Sequence, residues 1–238
     1  MNVFEGAISC KAIIESNHRQ CDCLYVDRKK RSKDFSYIIS LAKKKGIKVT
    51  ICDREFIDDI SQSTKHGGMI LTAGVYNKKN LTDKIDGFLC YVDGIEDPYN
   101  LGSICRTLYA SGCSALILPD RDWSMSESVI MKASAGAYER MDIYWIHTED
   151  ELISYLKKYN IPLYCASRKN AKGLYEIHFE KNFCMAIGGS FRGLSSMIES
   201  NSKQNVVIEY GREFRNALDA ASAVSVISFE ILRQRKNH

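Results

Sequence analysis

The chain has 238 residues, of which 45% are hydrophobic and 26% charged, and its formal net charge is +4. This composition is ordinary for a folded globular protein and disfavours a disordered chain. No run of 18 apolar residues occurs, and the first residues lack the basic and apolar regions of a secretory signal, so we expect a cytoplasmic protein with no membrane span.

The first 76 residues alternate short β-branched or aromatic runs with amphipathic segments, which is typical of an α/β domain. Strands are predicted at 23–26, 47–52 and 69–75, and helices at 35–45 and 54–62. The basic run Arg28, Lys29, Lys30 and Arg31 lies between the first strand and the first helix. Residues 1–80 hold 15 lysines and arginines against 9 acidic residues, whereas residues 81–238 hold 18 against 20. The run is therefore our predicted RNA-binding segment, although a solvated surface loop explains it equally well when it is considered alone.

A polar segment at 77–85 has no apolar periodicity and is predicted to be a linker between domains 1–76 and 86–238. Beyond it, strands are predicted at 87–92, 115–118, 143–146, 162–166, 183–187 and 205–208. Helices are predicted at 101–111, 126–134, 150–159 and 216–235. This alternation predicts an α/β fold with a mostly parallel sheet, preceded by a small α/β domain.

The nine cysteines are an odd number and lie in apolar stretches, so we expect buried thiols in a reducing compartment rather than a disulfide framework. The nearest candidate for a metal cluster is His18, Cys21 and Cys23. These residues lack a nearby fourth ligand and the spacing of a zinc site, and no metal is predicted.

The most informative stretch is a strand that leads through a turn into residues 100–107, where a helix opens. Arg106 is predicted in the second turn of this helix, where its guanidinium and the helix N-terminus suit a phosphate or a developing oxyanion. Open α/β sheets bind ligands at the carboxyl ends of their strands. In the plainer alternative, Asn100 is only a helix cap and Arg106 only a surface ion-pair partner.

Two further stretches each follow a predicted strand. Residues 184–195 pass from an apolar strand into a loop with Gly188, Gly189 and Gly193. The predicted strand around Ile208 is followed by a helix whose first residues are small. Close packing of the helix would be enough to explain these small residues. Neither stretch has the G-x-G-x-x-G pattern or the Gly-Lys-Ser/Thr ending of a phosphate loop, which disfavours a dinucleotide or triphosphate site.

Together, the three stretches resemble the three motifs of the TrmH/SpoU-type RNA 2′-O-ribose methyltransferases of the SPOUT class. Residues 97–102 (Asp-Pro-Tyr-Asn-Leu-Gly), with Arg106 and Thr107, look like the family's Asp-Pro-x-Asn-x-Gly and Arg-Thr. Residues 132–137 are similar to its Lys-x-Ser-x-Gly-Ala element, and the resemblance covers about residues 86–238. Glu5-Gly6 and residues 64–68 resemble the ribosomal-protein-like substrate domain of many members.

The resemblance implies a trefoil-knotted C-terminal domain that forms homodimers and holds S-adenosylmethionine in the knot. By motif position, Gly188, Ile208 and Leu218 would line the cofactor site, Arg106 would be catalytic, and Asn100 would order the loop around it. The expected reaction is methylation of a ribose 2′-hydroxyl. Ribosomal RNA is favoured over transfer RNA because the basic N-terminal module suggests a substrate engaged away from the pocket.

Two motifs depart from the family pattern. Gly188-Gly189-Ser190 stands where the family has Gly-Asn-Glu, and Ala217-Leu218-Asp219 stands where it has Ser-Leu-Asn. We expect Asp219 to restore the lost negative charge and count it among the catalytic residues. The main alternative is an RNA-binding protein that has kept the fold and lost the chemistry. A small-molecule or nucleotide enzyme on an ordinary doubly wound sheet is a second alternative, disfavoured by the missing phosphate fingerprint.

Overall fold

The computed structural model describes residues 1–189 and 192–236, which form two compact units. The strands are β1 (Asn2–Glu5), β2 (Cys21–Asp27), β3 (Lys48–Cys52), β4 (Met69–Ala73), β5 (Lys79–Asn80), β6 (Phe88–Val92), β7 (Ala115–Pro119), β8 (Ile143–Ile146), β9 (Leu163–Ala166), β10 (Ala171–Gly173), β11 (Phe183–Ile187) and β12 (Gln204–Val207). The α-helices are α1 (Ala7–Ser16), α2 (Lys33–Lys44), α3 (Arg54–Ile60), α4 (Pro98–Ala110), α5 (Glu127–Ala133), α6 (Ala137–Arg140), α7 (Glu149–Lys158), α8 (Ser196–Ser200) and α9 (Ala220–Lys236).

The first unit comprises Met1–Asn77 and Asp122–Arg140. Its four-stranded sheet has the order β1-β4-β2-β3, with β2 and β3 parallel and the other pairs antiparallel. Helix α1 packs against α2 and α6, and α5 packs against β1. Phe4, Ile13 and Leu24 are fully buried and lie in the core of this unit.

The second unit comprises Lys78–Arg121 and Met141–His238. Its sheet has the order β10-β12-β9-β11-β6-β7-β8-β5, and every strand pair described in it is parallel. All five residues of β6 and of β11 are buried, as expected for strands covered on both faces. The predicted α/β class with a mostly parallel sheet is confirmed, and the carboxyl ends of β6, β9, β11 and β12 meet at one edge.

The segment Asp122–Arg140 belongs to the first unit, although it follows β7 of the second. Lys132 forms an ion pair with the buried carboxylate of Glu5 and donates to Ser63 Oγ at 2.8 Å. Gly136 has a φ of 83°, and a Cβ there would lie 2.8 Å from Cβ of Ala12. This motif-like element is thus built into the unit formed by the N-terminal residues.

The compact units therefore divide the chain differently from the predicted domains 1–76 and 86–238. Most of the predicted linker at 77–85 lies in the second unit, where β5 pairs with β8. The N–H of Ile85 also donates to Tyr155 Oη at 2.9 Å. The predicted domain boundaries remain a prediction. In the packing, each compact unit consists of two segments that are separated in the sequence.

Two helix starts differ from the prediction for the same reason, an aspartate cap. Helix α4 begins at Pro98 because Asp97 caps it: the Asn100 N–H donates to Asp97 Oδ2 at 2.9 Å. Arg106 therefore lies in the third turn, and the prediction of the second turn is wrong. Helix α9 begins at Ala220 rather than at 216, because the Asp219 carboxylate accepts the Ser222 N–H at 2.9 Å.

All nine cysteines are free, and six of them are buried. The residues considered for zinc have other contacts: the His18 ring stacks on Tyr76 at 5.0 Å, and Cys23 Sγ lies 3.3 Å from Thr50 Oγ1. Within residues 1–189 and 192–236, no three His, Cys, Asp or Glu side chains are grouped to hold a metal ion. In the same residues, no helix has the length and apolar character needed to cross a membrane.

Candidate active site

The loops that follow β6 and β11 are in direct backbone contact. The Asp93 N–H donates to the carbonyl oxygen of Ile187 at 3.0 Å. A Cβ on Gly94 would lie 3.2 Å from the nitrogen of Gly189, and a Cβ on Gly189 would lie 2.8 Å from the oxygen of Gly94. Both positions therefore need glycine, and the first and second motifs meet at the carboxyl edge of the sheet.

The glycine-rich loop after β11 closes on itself. The Gly193 N–H donates to the Gly189 carbonyl at 2.9 Å, and a Cβ on Gly188 would lie 2.3 Å from the carbonyl carbon of Gly193. The backbone that approaches Gly188 most closely is thus the chain's own, whereas the sequence suggested a ligand there. Ser190, in the altered second motif, lies outside the described residues.

A cavity of about 350 Å³ opens beside this loop. The ends of β9, β11 and β12 form its walls together with Ala223 and Ile227 of α9. Gly188, Ile208 and Leu218, the three residues predicted to line a cofactor site, all line it. Its volume is within the range of small-molecule sites, which is about 300–1,000 Å³.

Arg168 lines the cavity and stabilises one of its walls. The sequence motifs did not identify this residue. Its guanidinium donates to the carbonyl oxygens of Arg215 and Asn216 at 2.7 and 2.9 Å. It also lies 5.3 Å from the ring centroid of Tyr210, whose hydroxyl accepts the Leu218 N–H at 3.1 Å. These contacts fix the loop between β12 and α9, which carries the third motif. A lone arginine after a predicted strand gave no sequence signal of this role.

Helix α4 brings Arg106 close to this region by packing against α9. Thr107 Oγ1 lies 3.4 Å from Ser225 Oγ of α9. Arg106 is exposed and has no hydrogen bond or ion pair to another described residue, so the described structure gives no support to a surface ion pair. Asn100 is exposed at the third position of α4, and the alternative that it caps the helix is wrong because Asp97 does so. Among the described residues, the cavity wall includes neither Arg106 nor Asn100.

Asp219 is exposed, and its carboxylate serves as the cap of α9. Oδ1 accepts the Ser222 N–H at 2.9 Å and Oδ2 accepts the Ser222 hydroxyl at 2.6 Å. These hydrogen bonds lower the pKa of Asp219 below its ordinary value. Neighbouring Ala217 and Leu218 line the cavity, whereas Asp219 does not. The proposal that Asp219 supplies pocket charge therefore competes with a clear structural role.

Substitutions at Asp219 separate these two roles. Asn keeps the acceptor for the Ser222 N–H but loses the charge and the acceptor for the Ser222 hydroxyl, so D219N should lower the free energy of unfolding less than D219A, which should lower it by about 1 kcal/mol. Because the folded-state pKa of Asp219 is depressed, the contribution of its carboxylate to the free energy of unfolding is fully present above the unfolded pKa of about 3.9. This contribution is lost as pH falls through the folded-state pKa. Urea unfolding at several pH values measures both effects. A stably folded D219N that has lost methyl transfer would favour pocket charge instead.

The predicted RNA-binding residues Arg28, Lys29, Lys30 and Arg31 are all exposed in the loop between β2 and α2. Arg28 Nε lies 3.0 Å from Asp53 Oδ1, and both side chains are more than half exposed. A Cβ on Gly68 would lie 2.9 Å from Cγ of Lys30, so this glycine lets the 64–68 segment pack on the stem of Lys30. The loop presents its cations to solvent at one end of the sheet of the first unit.

Comparison with known proteins gives the same assignment as the motifs. Residues 87–229 match the model of the SpoU rRNA methylase family, and residues 4–78 match that of the RNA 2′-O ribose methyltransferase substrate-binding domain. An uncharacterized tRNA/rRNA methyltransferase of Synechocystis sp. is 27% identical over 83% of this chain, which spans only 53% of that protein. The 23S rRNA (guanosine-2′-O-)-methyltransferase RlmB of Xanthomonas axonopodis is 25% identical over 82% of this chain and 81% of its own length.

A solved structure shows the same fold. The SpoU methyltransferase AviRb from Streptomyces viridochromogenes, in complex with AdoMet, aligns with a TM-score of 0.80 at 17% identity and covers 98% of this chain and 90% of its own. The parallel α/β sheet and the two matched domains define the class of RNA 2′-O-ribose methyltransferases. The chain belongs to the SpoU rRNA methylase family, whose model matches more than half of it. The resemblance that the three motifs indicated is confirmed.

Proposed function

We propose that this protein transfers a methyl group from S-adenosylmethionine to a ribose 2′-hydroxyl of ribosomal RNA. One observation carries the proposal: loops from three separate motifs meet at the carboxyl edge of the sheet, and Gly188, Ile208 and Leu218 line a single cavity there. In open α/β sheets this edge is where ligands bind.

The residues of the cavity fit the proposed cofactor. Ile187, Ile208, Leu218 and Ile227 provide apolar surface for an adenine, and the polar lining residues Ser167, Arg168 and Glu199 can meet hydroxyl and charged groups. When bound, S-adenosylmethionine supplies a methyl group that is activated by a sulfonium. The protein's own tasks are then to align the ribose hydroxyl and to stabilise the charge that develops on it.

Arg106 is the proposed catalytic residue. A guanidinium holds its proton too tightly to act readily as a base, so Arg106 serves as a clamp on the forming alkoxide and the neighbouring phosphate, and the proton leaves to phosphate or water. The side chain is exposed and has no ion-pair partner among the described residues, which leaves its five N–H donors for the RNA. Asn100, in the first turn of α4, is proposed to act beside Arg106, and its N–H joins the helix to Asp97 at the end of the preceding loop.

The RNA backbone is proposed to lie on the loop of Arg28, Lys29, Lys30 and Arg31, where the release of counterions from phosphates favours binding. Residues 4–78, which contain this loop, match a substrate-binding domain model. The name of the Xanthomonas relative supports ribosomal RNA, whereas the Synechocystis relative is named for both tRNA and rRNA. The knot, the homodimer formed through it and the cytoplasmic location remain predictions.

Two measurements test the proposed function. Isothermal titration of the full chain with S-adenosylmethionine should show binding, and incubation with methyl-labelled S-adenosylmethionine and total RNA should label ribose in ribosomal RNA. Mapping of ribose methylation in RNA from cells with and without the gene then identifies the nucleotide. If the protein binds RNA but no S-adenosylmethionine, it is instead a catalytically inactive RNA-binding protein on the same fold.

A further inference from the structure

The cavity contains a carboxylate that the motif comparison did not identify. Among the described residues that line the cavity, Glu199 is the acidic one. It is half-buried, and its Oε1 accepts a hydrogen bond from Ser167 Oγ at 2.7 Å. No other hydrogen bond or ion pair joins its carboxylate to a described residue, so Oε2 is available to a ligand.

The position of Glu199 is fixed from two directions. It lies on the short helix α8, where Ser195 caps the helix by accepting the Ile198 N–H at 3.2 Å and where Ile198 is fully buried. Ser167 directly follows β9, and its N–H donates to the carbonyl of Val206 in β12 at 3.1 Å. The acceptor oxygens are therefore held at the cavity wall before any ligand binds, which reduces the entropy lost on binding.

Charge in the cavity also favours a ligand for this carboxylate. The positive side chains that line it are Arg168, which is bound to the carbonyls of Arg215 and Asn216, and Arg215 itself. Neither forms an ion pair with Glu199 within the part of the chain that the structure describes. A half-buried carboxylate with a free oxygen gains most from hydroxyl or cationic donors on a bound molecule.

We propose that Glu199, positioned by Ser167, contributes to cofactor binding by accepting hydrogen bonds from the ribose hydroxyls of S-adenosylmethionine. In dinucleotide-binding α/β folds a carboxylate likewise accepts hydrogen bonds from a ribose hydroxyl. Glu199 thereby supplies the pocket carboxylate that the Gly188-Gly189-Ser190 segment lacks, a role first assigned to Asp219. This inference rests on the proposed function, because it requires the cavity to bind the cofactor.

The test is isothermal titration of the full chain with S-adenosylmethionine, S-adenosylhomocysteine and 5′-methylthioadenosine. All three carry the ribose, whereas methylthioadenosine lacks the amino-acid arm and only the first has the sulfonium. E199Q should weaken all three by about tenfold, the loss of a charge-assisted hydrogen bond. S167A should weaken them less, and S167T should restore binding because it keeps the hydroxyl. E55Q, at an exposed carboxylate of α3 in the first unit and outside the cavity wall, is the matched control and should bind like the wild type.

The outcomes distinguish the two proposals. If the wild type binds none of the three ligands, the proposed function fails. If the wild type binds them and E199Q binds equally well, only the inference about Glu199 fails. A loss confined to S-adenosylmethionine, or absent for methylthioadenosine, would show that Glu199 meets the sulfonium or the ammonium and would overturn the ribose assignment. Should E199Q prove unfolded in a melting curve without ligand, the S167A and S167T pair decides the question by the same ligand comparison.

Discussion

Replacing Arg106 by alanine is expected to slow methyl transfer by about 10²- to 10³-fold at saturating RNA, the usual effect of removing a preorganised donor to developing charge. Affinity for S-adenosylmethionine should stay unchanged, because the side chain is outside the cavity wall. Stability should change by less than about 0.5 kcal/mol, because the exposed guanidinium has no partner among the described residues. Single-turnover transfer, titration and thermal unfolding measure the three quantities.

The controls separate charge from geometry. R106K keeps the positive charge but not the planar fork of donors, and it should recover little of the rate. K158A removes an exposed cation from the last turn of α7 and should transfer methyl groups at the wild-type rate. If R106A raises only the KM for RNA and leaves the rate at saturation intact, Arg106 binds RNA and takes no part in the chemical step.

The elements that the sequence predicted best are the buried parallel strands. The predictions at 143–146 and 183–187 coincide with β8 (Ile143–Ile146) and β11 (Phe183–Ile187). Strands covered on both faces are continuous apolar runs, a signal that tertiary context does not override. Because the ends of such strands meet at one edge, the motifs that follow them could also be placed in one site, and Gly188, Ile208 and Leu218 do share a cavity.

Other features depend on contacts that no local pattern reveals. The starts of α4 and α9 are set by two aspartate caps, so α4 begins before the predicted residue 101 and α9 begins after the predicted residue 216. Strand β1 and helix α1 were not predicted. The buried residues of α1, which include Ser9, Cys10 and Ile14, lie on several sides of the helix, so its sequence lacks a clear helical period of apolar residues. Glu199 and Arg168 stand outside every motif, and only the cavity shows what they contact.

A buried charge network centred on Arg19 joins the segment Asp122–Arg140 to the N-terminal part of the first unit. Its Nε lies 2.9 Å from Glu139 Oε2 and its Nη1 lies 2.6 Å from Glu127 Oε2, and all three side chains are at most 5% exposed. Nη1 also donates to the Gly74 carbonyl at 3.1 Å. The guanidinium lies 4.7 Å from the centroid of the Phe4 ring. Burial alone would lower the pKa of Arg19, but the two carboxylates raise it.

Replacing Arg19 by methionine is therefore expected to lower the free energy of unfolding of the first unit by about 3–5 kcal/mol, because it leaves two buried carboxylates without a counter-charge. Urea unfolding can be followed in a W145F background, where Trp123, within the Asp122–Arg140 segment, is the remaining tryptophan.

R28M is the matched control, since it removes an arginine from an ion pair with Asp53 in which both side chains are more than half exposed. Its effect on stability should not exceed about 1 kcal/mol. The triple variant R19M/E127Q/E139Q should regain much of the stability lost in R19M, because amides replace the uncompensated charges while keeping the shape of the side chains. Equal effects of R19M and R28M would show that the network does not hold Asp122–Arg140 in the unit. In that case the packing of α5 on β1 and of α6 on α1 would have to account for its place in the unit.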